Sequence, residues 1–475
     1  MPMEKYNILL TLIICCCLTA CQWNLEEIDL ANAQATCLQK CVNGTCNSNN
    51  ICECKTDWKG LNCDEEIENP TTNLNFCDTV NCNNGTCNEA LDRCDCEYGW
   101  MGEDCLIPVE NEVVTFEKTI SFGQDSIKIY DLIKTKDEGY LINSTKFNSL
   151  NNSFSYYFFR LDRLANKTWQ FSHNSYTQRS SNSLELSTGY LIGTSLGSLF
   201  KLNFSGSSLN NTSISGTKSI ASMLLHENRK IISLGSTRSS NSEFWIAGIS
   251  ETCEVLWENT FGGSKSDFLT DAILLDNNIF SVGNTSSNNG DVQANYGDYD
   301  ICLVKTDLLG NLNWIKNFGG SSFEYANTIS LHNNNSFLFG GYTASSNIDV
   351  SKYYGGIDFW LINADKDGNL LWEKTYGGSG SDIMISIKPL TDNNYILAGH
   401  TKSSDLDVNF NNGGSDFWLI KIDPSGNIIW EKTYGTSGDE ILSDMQVTSD
   451  GGFIMVGTKD DKDIYIVKTD ANGNL

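Results

Sequence analysis

The chain has 475 residues, which is more than one ordinary domain needs, and 40% of them are hydrophobic, as in a folded protein. Its 59 acidic residues outnumber its 32 basic ones, giving a formal net charge of −27. Nucleic acid and anionic membrane faces attract basic surfaces, so this balance argues against both as partners.

The first twenty residues predict a secretory leader. One cation, Lys5, precedes an apolar run of signal-peptide length that is too short for a permanent bilayer span. The residues LTA at 18–20, directly before Cys21, resemble a bacterial lipobox. That resemblance implies a signal peptide over 1–20 and a lipid-modified Cys21 as the membrane anchor, at the outer membrane or cell surface. An ordinary cleaved signal or an uncleaved anchor is the alternative.

A second compartment stays open, that of a secreted, extracellular glycoprotein. It would use N-glycosylation sequons, which a chain this rich in Asn, Ser and Thr also acquires by chance. Examples are Asn143, Asn166, Asn203 and Asn284.

Cysteines dominate the part of the chain that follows a polar tether over 21–36. Sixteen of the eighteen precede residue 106, which indicates an oxidising compartment. Twelve form two sets of six, over 37–63 and 77–105, each containing NGTC and ending in CxCx8C with Trp and Gly in the final loop. Spacing alone leaves fifteen pairings for each set.

These two sets resemble EGF-like modules, which are too small to fold without cross-links. The resemblance implies pairing of the first cysteine with the third, the second with the fourth and the fifth with the sixth. The expected pairs are Cys37–Cys46, Cys41–Cys52, Cys54–Cys63, Cys77–Cys87, Cys82–Cys94 and Cys96–Cys105. A zinc site is the disfavoured alternative, and calcium is not predicted because the residues that calcium-binding modules use are missing. Polar linkers over 64–76 and 106–112 suit spacing of the modules.

The rest of the chain, 113–475, repeats one unit. Trp257, Trp314, Trp372 and Trp430 follow one another at intervals of 57, 58 and 58 residues, inside copies such as NLLWEKTYGGSGSD. Each copy has four strand-length runs bounded by Gly, Asn, Asp or Ser, without helical spacing. Degenerate copies bring the count to seven. Four antiparallel strands cannot close a core alone, so the repeat predicts an all-β, seven-bladed β-propeller of four-stranded blades.

The last copy lacks its outermost strand. The segment VVTFEKTISFG at 113–123 matches the missing IIWEKTYGG, so we expect an N-terminal strand to close the ring on the final blade. A truncated chain is the alternative. The repeats resemble the propeller repeats of secreted and surface proteins of Bacteroidetes-like bacteria, and the DxxGNxxW turn is distantly similar to that of quinoprotein blades. The resemblance covers about three quarters of the chain and implies architecture rather than activity.

Three consecutive blades have a long connection between their second and third strands, which predicts a ligand-binding face. Carboxylates beside aromatic rings suit sugar hydroxyls or a hard cation, although turn-stabilising Asp residues are the structural alternative. The candidate ligand-binding residues are Asp291, Tyr296, Asp298, Asp349, Tyr353, Tyr354, Asp405, Asp407 and Phe410.

Two further sets of acids recur with the repeat. Those that begin the third strand are better explained as structural, namely Asp300, Asp358, Asp416 and Asp463. Those that follow the GGS turn are expected to ring the mouth of the central channel, where cation binding is a hypothesis and not a predicted site, namely Asp267, Glu324, Asp382 and Glu440.

No catalytic motif accompanies the repeats. The four histidines are isolated, no GxSxG elbow occurs, and GGSG has no following GK[ST], so neither a cofactor nor a metal site is predicted. Cys253 replaces a turn glycine and Cys302 a strand tryptophan, and both are expected to stay unpaired. The sequence therefore favours a non-enzymatic, lipid-anchored recognition or adhesion protein that binds a protein or a glycan. A glycan-active enzyme with paired carboxylates on the long loops and an envelope assembly scaffold are the alternatives.

Overall fold

The computed structural model describes residues 113–475, except 176–179, 215–217, 227–229 and 334, together with short stretches of the first 112 residues. Those stretches are 44–46, 52–54, 58–59, 65–66, 81–83, 85–88, 93–96, 100–101, 105 and 107–108. The chain divides into two compact units, Met1–Leu74 and Asn75–Leu475. Among the described residues, no helix is long and apolar enough to cross a membrane.

The described residues of the first unit form two short antiparallel hairpins. Strand β1 (Gly44–Cys46) pairs with β2 (Cys52–Cys54), and β3 (Trp58–Lys59) pairs with β4 (Glu65–Glu66). The expected lipid attachment at Cys21 and the three expected disulfides of the 37–63 module lie outside the described residues and side chains.

The second unit begins with two more small hairpins. Strand β5 (Gly85–Asn88) pairs with β6 (Arg93–Cys96), and β7 (Trp100–Met101) pairs with β8 (Ile107–Pro108). Cys82 and Cys94 form a disulfide with a Cα–Cα distance of 5.4 Å, which is the second-to-fourth pair that the EGF resemblance implies. Cys87 and Cys105 are also disulfide-bonded, but their partners lie outside the described side chains.

The described part of 113–475 contains seven four-stranded antiparallel sheets, so the predicted seven-bladed propeller is confirmed. Blades 1 to 3 are β10 (Ser126–Lys134), β11 (Tyr140–Asn148), β12 (Ser153–Leu161), β13 (Lys167–Ser175); β14 (Ser180–Leu186), β15 (Gly189–Thr194), β16 (Ser198–Leu202), β17 (Ser208–Ser213); and β18 (Lys218–His226), β19 (Lys230–Thr237), β20 (Phe244–Ile249), β21 (Val255–Phe261). Blades 4 and 5 are β22 (Asp267–Leu275), β23 (Asn278–Thr285), β24 (Asp300–Asp307), β25 (Leu312–Phe318); and β26 (Glu324–Asn333), β27 (Ser336–Thr343), β28 (Asp358–Asp365), β29 (Leu370–Tyr376). Blades 6 and 7 are β30 (Asp382–Pro389), β31 (Tyr395–Thr401), β32 (Asp416–Ile422), β33 (Ile428–Tyr434); and β34 (Glu440–Val447), β35 (Phe453–Lys459), β36 (Asp463–Thr469), β9 (Phe116–Ile120).

The ring closes as the sequence predicts, through the N-terminal strand β9. It pairs antiparallel with β36 as the outer strand of blade 7, with Ile120 opposite Ile464 and Phe116 opposite Lys468. From this strand, Lys118 Nζ donates to the carbonyl oxygen of Ala165 in blade 1 at 2.8 Å. The first strand of the propeller therefore joins its last blade to its first.

Blade-to-blade contacts rest on apolar cores and on a belt of hydrogen bonds between inner strands. The third strands bring large side chains into these cores, where Trp245, Trp360 and Trp418 are fully buried. On the inner strands, Asp131 accepts the amide hydrogen of Ser183 in the next blade at 2.7 Å, and Asp444 accepts that of Leu132 at 3.1 Å. A buried carboxylate that accepts a backbone amide in this way satisfies both groups.

Burial, together with the negative charge of Asp444, raises the pKa of Asp131 to about 8. Burial also raises the pKa of Asp444. Two buried acids of neighbouring inner strands thus share a site that favours one proton.

Candidate functional site

The candidate face is the one that carries the long connections of blades 4, 5 and 6, over 286–299, 344–357 and 402–415. We call it the upper face. These connections have equal length and begin at equivalent threonines, Thr285, Thr343 and Thr401, whose hydroxyls donate to the buried acid that opens the inner strand of the same blade. Each loop is therefore fixed to its own blade at its root.

Four of the predicted ligand-binding aspartates hold these loops in place. Asp291, Asp349 and Asp407 accept the backbone amides of Gly262, Gly319 and Gly377 at 3.0, 3.1 and 3.2 Å. Asp405 accepts the amide of Ser379 at 2.8 Å. These carboxylates hold the turns that follow the outer strands of blades 3, 4 and 5. We therefore do not include them in the candidate binding site.

Asp298 differs from those four. Its backbone amide donates to the carbonyl oxygen of Ser322 at 2.7 Å, while its side chain is exposed. Its carboxylate accepts no hydrogen bond from the described residues, so both of its oxygens are available to a ligand.

The predicted aromatic residues lie at the surface of the loops. Tyr296, Tyr353 and Phe410 keep 42%, 38% and 61% of their side chains exposed. The hydroxyl of Tyr353 donates to the carbonyl oxygen of Gly356 at 2.8 Å. Tyr354 is half-buried beneath Lys352, whose Nζ lies 4.2 Å from the ring centroid.

Two aliphatic residues of the same loops escaped the sequence analysis. Ile348 and Leu406 are 59% and 63% exposed, and both have left-handed backbones with φ of 63° and 61°. Blade 4 has Gly290, with φ of 69°, at the equivalent position. The sequence signal that could have found them is an aliphatic residue in two repeats aligned with a glycine in a third. The glycine shows that the turn can form without a side chain at this position. We call Tyr296, Ile348, Tyr353, Leu406 and Phe410 the loop surface.

A second group of side chains that the sequence did not predict lies at the upper ends of the inner strands of blades 4 and 5. We call it the aromatic cluster, and it consists of Phe268, Tyr299, Phe323, Tyr325 and Tyr342. All five are half-buried. They come from three strands and two loop ends, so only the fold brings them together.

The acids after the GGS turns are not exposed, contrary to our expectation of a cation site at the channel mouth. Asp267, Glu324, Asp382 and Glu440 are fully buried. Each accepts the backbone amide of the residue four positions earlier, at 2.7 to 2.9 Å. Successive side chains of a strand point to opposite faces. Glu324 is therefore buried on one face of its inner strand, and the next residue, Tyr325, lies on the other. The four acids cap a turn and leave no surface cation site.

The acids at the start of the third strand are structural, as predicted, and they lie close to the first set. Asp358 is fully buried, accepts the amide of Tyr354 at 2.7 Å, and has no hydrogen-bond partner for Oδ1. Burial, together with the charge of Asp382, raises its pKa to about 7. Asp300 likewise accepts the amide of a loop tyrosine, Tyr296, at 2.7 Å. Burial, together with the charge of Glu324, raises its pKa to about 7.

The described part of the chain contains no group of three His, Cys, Asp or Glu side chains that could hold a metal ion. Cys253 and Cys302 are buried and unpaired, as expected. What remains on the upper face is an exposed apolar surface, an aromatic cluster and the carboxylate of Asp298.

No family model matches this chain, and no curated protein matches it. Solved structures that resemble it include the Neurospora crassa Pan2 WD40 domain, with 12% identity, a TM-score of 0.45 and coverage of 74% of this chain and 93% of that one. BamB from Moraxella catarrhalis has 12% identity, a TM-score of 0.39 and coverage of 75% and 100%. An inactive virginiamycin B lyase from Staphylococcus aureus has 8% identity, a TM-score of 0.47 and coverage of 74% and 99%. The strand pairing, rather than these similarities, identifies the chain as a seven-bladed β-propeller.

Proposed function

We propose that this chain is a recognition protein that binds a protein partner through the loop surface. The observation that carries the proposal is the pair Ile348 and Leu406. An aliphatic residue in the left-handed region costs about 1–2 kcal/mol, and exposing it to water brings no compensating burial. The same unfavourable conformation and exposure in two adjacent blades are explained if a partner covers these side chains.

The loops beneath this surface are organised before any partner binds. Val350 and Val408, two residues after the exposed pair, are buried, and Asp349 and Asp407 fix the adjoining backbone. A surface that is already in its bound shape loses little conformational entropy on association. Exposed Tyr and Phe side chains beside it are the residue types that anchor protein interfaces.

The carboxylates on which a glycan-active enzyme would depend do not support that alternative. Asp291, Asp349, Asp405 and Asp407 accept turn amides, and a carboxylate held in this way is not placed to protonate a glycosidic oxygen. Aliphatic side chains at the centre of the surface also suit a protein partner better than the hydroxyls of a sugar.

The test uses chemical cross-linking of the full chain in its native cells, followed by identification of the captured proteins. A variant with Ile348→Asp and Leu406→Asp should lose its specific partner, because two charges would have to be buried at the interface. The matched control is Leu256→Asp with Leu371→Asp, which changes two exposed residues on outer strands. Retention of the same partner by the loop variant would reject the proposal.

We further propose, from the sequence, that the protein is anchored at the cell envelope through a lipid on Cys21, with the two cysteine-rich modules as a spacer. The mass of the N-terminal peptide of the mature protein tests this directly. A diacylglycerol-modified Cys21 is expected, and Cys21→Ser should release the protein from the membrane fraction. A mature chain that begins elsewhere contradicts it.

A further inference from the structure

We propose that the aromatic cluster binds an ammonium or guanidinium group, such as the side chain of a lysine or arginine on the partner protein. This inference rests on the proposed function, because it names the chemistry of part of the partner. It concerns Phe268, Tyr299, Phe323, Tyr325 and Tyr342, none of which belongs to the loop surface, although Tyr299 ends the loop that carries Tyr296.

The cluster is built around Tyr325. Its ring stacks on Tyr299 at a centroid distance of 5.2 Å and on Tyr342 at 5.3 Å, with interplanar angles of 30° and 27°. Phe323 meets it edge-on at 6.1 Å, and Phe268 lies 6.3 Å away. Three stacked tyrosines form a column, with Phe268 also 6.0 Å from Tyr299 at one end. The faces of aromatic rings carry a partial negative potential that attracts cations.

The column is not closed off by other parts of the protein. All five rings are only half-buried, and the hydroxyls of Tyr299, Tyr325 and Tyr342 have no hydrogen-bond partner among the described residues. Here the hydroxyls are left for water or for a ligand that donates hydrogen bonds, which ammonium and guanidinium groups do.

Charge selects a cation over a neutral or anionic ligand. Asp298 lies near Tyr325, and the carboxylate is exposed beside the column. The chain as a whole carries a formal charge of −27, which raises the local concentration of positively charged ligands. The upper face already contains one contact of this type, between Lys352 Nζ and the ring of Tyr354 at 4.2 Å.

The experiment measures saturation transfer by NMR from the full chain to small probes. Tetramethylammonium is the cationic probe, tert-butanol is its neutral counterpart of similar shape, and methyl glucoside tests for a sugar. We expect saturable transfer to tetramethylammonium and none to the other two. Transfer to methyl glucoside alone, or no transfer to tetramethylammonium, overturns the proposal.

Two variants locate the binding site. Asp298→Asn removes a surface charge and should weaken tetramethylammonium binding about two- to fivefold. Tyr325→Leu interrupts the column and should weaken it to a similar or greater extent. The matched control is Asp461→Asn, an exposed acid in a loop of blade 7, which should bind like the parent protein. Unchanged binding by Asp298→Asn and Tyr325→Leu also overturns the proposal.

Failure of this inference can be told apart from failure of the proposed function. The Ile348→Asp, Leu406→Asp variant leaves the aromatic cluster intact, so it should bind tetramethylammonium normally even though it loses the protein partner. If the partner is lost in that variant while the parent protein does not bind the probe, the recognition function stands and the cationic site does not.

Discussion

The ring of Trp257 lies where a β-carbon on Gly310 would have to be. Trp257 is on β21 of blade 3 and Gly310 is in the last turn of blade 4, with φ of 74°, and an added β-carbon would lie 2.4 Å from the indole. Equivalent glycines face Trp169, Trp314, Trp372 and Trp430. The repeated Trp and the repeated Gly of the sequence are therefore two halves of one contact between neighbouring blades.

Gly310→Ala should lower the free energy of unfolding by about 3 kcal/mol, because it adds a clash with Trp257 to the strain of a left-handed alanine. Gly123→Ala is the matched control. Gly123 has a similar φ of 68° but nothing within 4 Å of its added β-carbon, so only the strain of about 1 kcal/mol should appear. Thermal and urea unfolding measure both, and equal losses in the two variants would contradict the contact.

Ile348→Gly should stabilise the protein by about 1 kcal/mol while weakening the binding of its partner. The substitution relieves the left-handed strain and removes an exposed apolar side chain, so folding and recognition should respond in opposite directions. Ile348→Ala is the control, since it removes most of the side chain but keeps the β-carbon that causes the strain. A variant with glycine that is no more stable than the one with alanine would contradict this account of the loop.

Stability should fall as the pH rises from about 4 to 7. The pKa of Asp358 is about 7 in the folded protein because of burial and the charge of Asp382, against 3.8 when exposed. A carboxyl whose pKa is raised by folding holds its proton more tightly in the folded state. Its contribution to stability is therefore complete below pH 3.8 and is lost as the pH rises to about 7.

Asp358→Asn should flatten this pH dependence, because the amide keeps the size and the acceptor for Tyr354 but cannot ionise. Asp365→Asn, at the other end of strand β28, is the control. Hydrogen bonds from Asn369 hold the pKa of Asp365 below its ordinary value despite partial burial, so its titration lies below this window. Urea unfolding from pH 4 to 8 measures the slope, and an unchanged slope for Asp358→Asn would remove the explanation.

Deleting residues 113–120 should destabilise the whole propeller rather than one blade. Without β9, the edge of β36 is left unpaired and the bridge from Lys118 to blade 1 is lost, and an unpaired edge promotes association. Deletion of the eight residues 67–74, in the linker between the two cysteine-rich modules, controls for shortening the chain. Thermal unfolding with size-exclusion chromatography would show a lower Tm and oligomers for the first deletion only; a monomer with the parent Tm would contradict a closing role for β9.

The sequence was sufficient for the architecture because the repeat fixed the blade and the match of 113–123 to the missing outer strand fixed the closure. It located the long loops, but it did not show that four of their aspartates accept backbone amides. The partners of Asp291 and Asp349 are backbone amides about thirty positions earlier, and residue spacing does not show such bonds.

Side-chain exposure was harder to predict than strand position. Ile348 and Val350 look equally apolar in the sequence, yet the first is exposed and the second is buried. The complete aromatic cluster could not be foreseen either, since Tyr325 and Tyr342 face each other on paired strands of blade 5 but Tyr299 joins them only once blade 4 lies beside it.

The order of synthesis gives the closing strand a further consequence. Phe122, two residues after β9, donates its backbone amide to the side chain of Asp463 at the start of β36, 341 residues later. The ribosome therefore synthesises β9 long before its partner strand β36, and the propeller ring stays open until nearly all the blades have been translated. Assembly of the finished ring is for this reason a late event, and a chaperone that shields a bare strand would have the whole elongation period in which to act.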